Sequence, residues 1–276
     1  MENKKVKAEL FNDNFQNFKR YNIPKAQLVL VDIPYNLGVN AYASSTEWYI
    51  NGDNKQGESK KAGKPFFNTD GNFKIAEYMH FCNRLLIKEP KQSGKALAMI
   101  VFCAFEQMQI VAEYGKKYGF KHSYPIFFIK NYSAQVLKAN MKIVGATEQA
   151  IVLYRDKLPK FNNDGHMIFN WFEWTRDNSD IYPKIHPNQK PVSVLKKLIK
   201  IFTDEFDTVI DPCAGSATTL RTCAELNRNS YGFEVSKKFY KDAMEQMLSP
   251  IYFKQYNGNN QKFQQISLWE DTPCNL

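Results

Sequence analysis

Five cysteines in 276 residues, with no C-x-x-C pair among them, leave no frame for a disulfide scaffold or a zinc cluster. Cys82, Cys103, Cys213, Cys223 and Cys274 are scattered and odd in number, which suits a reducing cytoplasm. No run of about 18 apolar residues occurs, so no segment is expected to span a membrane. The opening "MENKKVKAELFNDNF" lacks the apolar centre of a signal peptide. Also missing are the G-x-x-x-x-G-K-[ST] spacing with its lysine and the three-glycine dinucleotide fingerprint, which disfavours a phosphate-binding NTPase. No internal repeat is visible.

What is present is enough apolar material, 43%, for a sizeable core. The length fits one large α/β domain over residues 1–276, with room for a modest insertion. Lys plus Arg number 37 against 28 Asp plus Glu, a net charge of +9. That excess favours a polyanionic partner through phosphate contacts and counterion release. Lysines that merely keep a protein soluble would give the same balance, so charge alone leaves both readings open.

Leu28–Val31 reads as a fully buried strand, with Asp32, Pro34 and Tyr35 presented where it leaves the sheet. Residues 51–71, rich in Gly, Lys and Asn, read as a mobile basic loop carrying Lys55, Lys60, Lys61 and Lys64. Apolar spacing predicts a helix over 73–86, a buried strand over 96–105, a helix ending near Gly115 or Gly119, and strands at "HSYPIFFIK" and "EQAIVLYR". Residues 156–185 show no clean period and read as a loop-rich insert holding Trp171, Trp174, Arg176 and Lys184. An amphipathic helix follows Pro191. "DTVIDPCAGSATTLRTCAELNRNSYGFEV" then reads as strand, tight turn, helix and strand, and "SKKFYKDAMEQML" as a last helix. Strands alternating with helices imply a doubly wound, mainly parallel sheet with helices on both faces.

The turn after Asp211 holds Gly215, with Ser216, Thr218 and Thr219 opening a helix. A glycine there lets the backbone approach a ligand, and helix-start amides attract a carboxylate or phosphate. Glu234 stands at the next strand end, where an acidic residue would hydrogen-bond a ribose diol. A ribose without a polyphosphate cradle fits S-adenosylmethionine; ordinary capping by Ser216 and Thr218 would account for the same residues. In an open α/β sheet the ends at Asp32 and Asp211 can meet where the strand order reverses. Asp32 and a backbone carbonyl near Pro34 would then accept the hydrogens of a planar exocyclic amine, and Tyr35 would stack on an extruded base. A strand cap with a turn proline is the plainer account of "DIPY".

Taken together and in this order, "DIPY", "HPNQKP" and "DPCAGSATT…GFE" resemble the amino-methylating DNA methyltransferases, which act on adenine N6 or cytosine N4, in the family's β arrangement of motifs. The resemblance runs from about Leu28 to Met247. It implies a Rossmann-like fold, S-adenosylmethionine as cofactor and double-stranded DNA as partner. It places the catalytic tetrapeptide on Asp32, Ile33, Pro34 and Tyr35, and the cofactor residues on Asp211, Cys213, Gly215, Ser216, Thr218, Thr219 and Glu234, with Lys190 and Pro191 lining the same pocket. Ile33, Cys213 and Ala217 depart from the usual pattern of proline, aromatic and glycine. Aspartate at the first position is similar to the adenine-N6 members. The 156–185 insert occupies the recognition region, so Trp171, Trp174, Arg176 and Lys184 are candidates for base or phosphate contacts, and Lys55, Lys60, Lys61 and Lys64 for phosphates; a small tryptophan core and a solvated linker are the alternatives. Adenine-N6 methylation after base flipping is the expected activity. Cytosine-N4 methylation, an RNA or protein-glutamine substrate, and an inactive DNA-binding module of the same fold remain open, as do a homodimer and a cognate restriction endonuclease.

Overall fold

The computed structural model describes residues 6–35, 73–132, 135–138 and 143–249. The predicted basic loop and Lys55, Lys60, Lys61, Lys64 and Cys274 lie outside the described residues. In chain order the elements are β1 (Ala8–Phe11), a 3-10 turn (Phe15–Arg20), β2 (Leu28–Asp32), α1 (Ile75–Leu85), β3 (Ala98–Phe102) and α2 (Phe105–Lys117). Then come β4 (His122–Lys130), a small hairpin of β5 (Gln135–Lys138) and β6 (Ile143–Gly145), β7 (Thr147–Tyr154) and β8 (Trp171–Trp174). The chain closes with α3 (Val192–Phe202), β9 (Thr208–Asp211), α4 (Thr218–Glu225), β10 (Asn229–Phe233) and α5 (Lys237–Asp242).

Eight strands form one sheet in the order β1-β10-β9-β2-β3-β7-β4-β8. Every described pairing in it is parallel except those of β7, which runs against both β3 and β4. The doubly wound, mainly parallel expectation is therefore met. Leu28, Val29, Leu30 and Val31 are all buried because the sheet is covered on both sides. Val29 and Val31 point into a cluster with Tyr78, Met79 and Cys82 of α1 and Val111 of α2. Leu28 and Leu30 point the other way, onto Val194, Leu195, Leu198 and Ile199 of α3. Period-two alternation along β2 thus feeds two cores.

Strand order reverses at β2. Toward β3 the pairing runs the whole length, to Asp32↔Phe102. Toward β9 it covers only Leu28↔Val209 and Val29↔Ile210, so the carboxyl halves of β2 and β9 part. A parallel α/β sheet binds its ligands at such a reversal.

Two expectations need correction, and one strand lies outside them. The 156–185 segment is not only loop: Trp171–Trp174 forms β8, paired in parallel with β4 at the sheet edge. Four residues are too few to show a period, and the gain comes from the ladder rather than from local pattern. Helical residues after Ser236 do not form one continuous helix, since α5 stops at Asp242 and Ala243–Met247 is a π-helical turn. Strand β1, "AELF", is made by its pairing with β10, which joins segments more than 200 residues apart and leaves no local signal.

Candidate active site at the carboxyl edge of the sheet

Asp32 is the last residue of β2, and its backbone neighbours are pinned by the sheet: the Ile33 N–H donates to the Phe102 carbonyl at 3.1 Å. Ile33 is 1% exposed, so at this position the chain requires an apolar side chain that fits the core. The Pro34 carbonyl accepts from Gln107 Nε2 at 2.9 Å, while Gln107 Oε1 accepts from the Ala104 N–H at 3.0 Å. A buried glutamine on α2 thus sets the direction of the turn after Asp32.

Asp32 Oδ2 lies 2.7 Å from Lys190 Nζ. Its other oxygen, Oδ1, is buried and has no hydrogen-bond partner among the described residues. Lys190 is also 3.5 Å from Glu148 Oε2, and Glu148 Oε1 is 2.7 Å from Lys130 Nζ. The Tyr35 hydroxyl donates to Glu148 Oε2 at 3.1 Å. Burial pushes the Asp32 carboxyl up to about 6, with Lys190 restraining the rise. Burial acts on Glu148 in the same sense, but Lys190 and Lys130 outweigh it and bring that carboxyl to about 2. Lys190 is held above its usual value because Asp32 and Glu148 overcome its own burial. Burial, then the Glu148 and Asp32 charges, raises Tyr35 well beyond the phenol range, so it stays a hydroxyl donor.

The second half of the site hangs from β9 and β10. Asp211 is 4% exposed, and its Oδ1 accepts from the Cys213 N–H at 3.1 Å. Burial lifts its carboxyl to about 7; the Thr219 hydroxyl and the Cys213 amide oppose this, and the charges of Asp32 and Glu234 add to it. Glu234 Oε2 accepts from the Gly215 N–H at 2.9 Å and Oε1 from the Ser236 N–H at 2.7 Å. Gly215 has φ +53°, a left-handed conformation natural to glycine. A Cβ on Gly232 would meet Leu220 at 2.8 Å, so the glycine in "YGFE" lets α4 lie close on β10. Ordinary capping does not account for the turn: Ala217 caps α4 in the left-handed region with no side-chain bond, while the Ser216 and Thr218 hydroxyls pair with each other at 2.6 Å. Ala217 therefore holds a conformation that glycine would adopt with less strain.

His186 closes the turn from outside. Its ring faces Phe239, centroids 4.5 Å apart, and is what a Cβ added at Gly215 would meet first, at 3.6 Å. Burial and the Lys190 charge lower it to about 4, so the imidazole is neutral. Gln189 braces the same segment, accepting from the Ile185 N–H and donating to the Pro183 carbonyl. Pro191 is the residue before α3, whose first amide, Val192 N–H, is capped by Asp177.

The proposed recognition residues part company. Trp174 is 5% exposed and packs in the core beside Phe128, its Nε1 donating to the Tyr132 hydroxyl at 3.0 Å. It is neither a DNA-facing side chain nor part of a separate tryptophan core. Trp171 is 41% exposed and stacks on Phe169. Arg176 is exposed with its guanidinium 3.9 Å from the Tyr132 ring centre, and Lys184 is exposed.

Glu148, Lys130 and Gln107 belong to the site and carry no motif. The one available signal was an acidic residue at the mouth of an apolar strand, "TEQAIVLY". As for the methyl donor, Asp211 and Glu234 have no cation within 4 Å among the described residues. Such a set of buried acceptors suits a ligand with hydroxyls and positive charge, which a sulfonium with an α-amino group provides.

The family model for N6/N4 DNA methylases matches residues 26–245. The type II methyltransferase M.HindIII of Haemophilus influenzae is 42% identical over 62 residues, 22% of this chain and 20% of that protein. The DNA adenine methyltransferase YhdJ of Escherichia coli is 21% identical over 257 residues, covering 88% of this chain and 83% of its own. The chain matches about a fifth of the length of M.HindIII and of the M.HpaI methyltransferase of Haemophilus parainfluenzae. Among solved structures, the M1.HpyAVI–SAM complex has a TM-score of 0.61 at 20% identity, covering 86% of this chain and 97% of that one. The cytosine-N4-specific PvuII DNA methyltransferase also reaches 0.61, at 14% identity over 93% of this chain and 96% of that one. These likenesses show a shared fold; S-adenosylmethionine is the cofactor of the family. With the family model matched over most of its length, the chain belongs to the N6/N4 DNA methylases.

Proposed function

We propose that this protein transfers a methyl group from S-adenosylmethionine to the N6 amino group of an adenine flipped out of double-stranded DNA. The observation that carries the reading is Asp32: one oxygen held by Lys190, the other buried without a donor, at the strand end where the sheet order reverses. A planar exocyclic amine offers two N–H donors. Asp32 Oδ1 accepts one and a backbone carbonyl near Pro34, steered by Gln107, accepts the other. Both bonds strengthen as the nitrogen lone pair leaves the ring system, so they favour the transition state over the ground state. Asp32 then takes the proton that the methylated nitrogen must lose; a carboxyl near 6 is suited to hold it briefly. Tyr35, fixed by Glu148, gives the base a stacking face. S-adenosylmethionine supplies the electrophilic methyl carried on a sulfonium. Glu234 would hold its ribose, Asp211 and the turn at Cys213, Gly215, Ser216, Thr218 and Thr219 the rest, with Lys190 and Pro191 on the near wall.

Adenine is favoured by aspartate at the first position of the tetrapeptide and by the adenine-specific relative YhdJ. The cytosine-N4 neighbour PvuII supports the second reading. Exposed Trp171, Arg176 and Lys184 are the proposed contacts to DNA. Type II methyltransferases among the relatives support a setting beside a restriction endonuclease. Among the described residues no helix is long and apolar enough to cross a membrane. The test is mass spectrometry of nucleosides from DNA incubated with the protein and labelled S-adenosylmethionine. N6-methyldeoxyadenosine is expected; N4-methyldeoxycytidine replaces the adenine assignment, and neither product from protein that binds the cofactor sinks it.

A further inference from the structure

Four charged side chains run in an unbroken line along the carboxyl edge of the sheet. Lys130 ends β4, Glu148 lies near the start of β7, Lys190 precedes α3 and Asp32 ends β2. Successive contacts are 2.7, 3.5 and 2.7 Å, and the two ammonium-bearing side chains are only 7% and 9% exposed. Sheltered ion pairs of this kind are often no more stabilising than apolar replacements of the same volume. Net fold stability is therefore weak grounds for their presence.

We propose that Lys190 and Glu148 are positioning residues for methyl transfer: Lys190 holds Asp32 by Oδ2 so that Oδ1 alone faces the acceptor amine, and Glu148, anchored by Lys130, holds both Lys190 and the Tyr35 hydroxyl. The proposal rests on the reading of Asp32 as the amine acceptor. Two positive and two negative groups leave the line neutral, so a neutral base meets no net charge from it. Without Lys190, a sheltered Asp32 would hold its proton more tightly, leaving a weaker, uncharged acceptor that could not take the proton the amine loses. Without Glu148, Lys190 and Tyr35 would each lose the oxygen they share. The groups facing Asp32 are Lys190, Glu148 and Tyr35, with Cys103 just past β3, Asp211 from β9 and Cys213 from the turn after it.

The experiment measures kcat against pH at saturating DNA and cofactor for Lys190→Gln, Lys190→Arg and Glu148→Gln, with folding checked by thermal melting. Lys190→Gln removes the attracting charge, so its acid limb should move up by about 1 to 3 pH units, with kcat down roughly 10- to 100-fold. Lys190→Arg keeps the charge and should return the limb to within about half a unit of wild type. Glu148→Gln removes a repelling charge, so its limb should move the opposite way, downward, while kcat falls several-fold. A merely structural pair would move neither limb. Unmoved limbs, or limbs shifted in the same direction, overturn the proposal. Should Lys190→Gln fail to fold, the direction of the Glu148→Gln limb and the charge rescue by Lys190→Arg decide it. Asp32→Asn separates the two levels: if it stays active, the reading of Asp32 itself is wrong. If it is inactive while both limbs match wild type, only the positioning role is lost.

Discussion

Asp32 and Asp211 end neighbouring strands of one sheet, yet Asp32 rests on a lysine and Asp211 on no cation among the described residues. Around Asp32 two ammoniums balance two carboxylates, and Glu148 is drawn down to about 2. Around Asp211 the neighbours are one amide, a hydroxyl and further acids, and burial carries the carboxyl to about 7. The lesson is one of division of labour. On the proposed reading, the half that would meet a neutral base carries its own counter-charges, while the half that would meet a cationic cofactor leaves its charge for the ligand to balance.

That contrast breaks most sharply at Asp32. Replacing it with alanine should lower methyl transfer by about a thousandfold or more while cofactor binding, measured by calorimetry, stays within about threefold. An active Asp32→Ala would dissolve the distinction between the halves. Glu234→Ala should do the reverse, weakening cofactor affinity by roughly 10- to 150-fold, the effect of losing a charge-assisted hydrogen bond. Unchanged affinity would remove the ribose contact.

The uncompensated half also predicts a pH-dependent cost. The Asp211 carboxyl sits higher in the folded chain than in the unfolded one, so its contribution to stability is full below about pH 4 and is lost as pH rises through about 7. Asp211→Asn, free of cofactor, should then gain stability over wild type between pH 4 and pH 8 by on the order of 4 kcal/mol. Denaturant titrations at the two pH values check this, and equal gains at both would refute it. The smallest effect is expected at Gln107: alanine there releases the Pro34 carbonyl and should lower kcat about three- to tenfold with little change in cofactor affinity.

Much of this site was legible along the chain because the chemistry sits at strand ends, where apolar runs stop abruptly. "LVLVDIPY" and "TVIDPCAGSATT" each mark such an end, and the unit from Thr208 to Phe233 is local enough to read directly. The tryptophans were legible only as a pair. Nothing local tells that Trp174 turns inward onto Phe128 while Trp171, three residues earlier and on the opposite face of β8, turns outward. Lys190 was expected against the cofactor turn, and its place on Asp32 depends on how the segment before α3 folds back over the sheet.

By itself, the sequence determined the two kinds of core-facing strand, the helices that cover them, and the acids placed where those strands end. These follow from period and from turn chemistry within a few residues. Tertiary structure alone decided that Glu148 and Lys130 join the site. In a parallel strand the first residues lie at the edge away from the ligand; because β7 runs antiparallel between β3 and β4, its beginning meets the ends of its neighbours, and Glu148 arrives beside Tyr35 and Lys190. Strand direction is a property of the assembled sheet, and no spacing within "TEQAIVLY" records it.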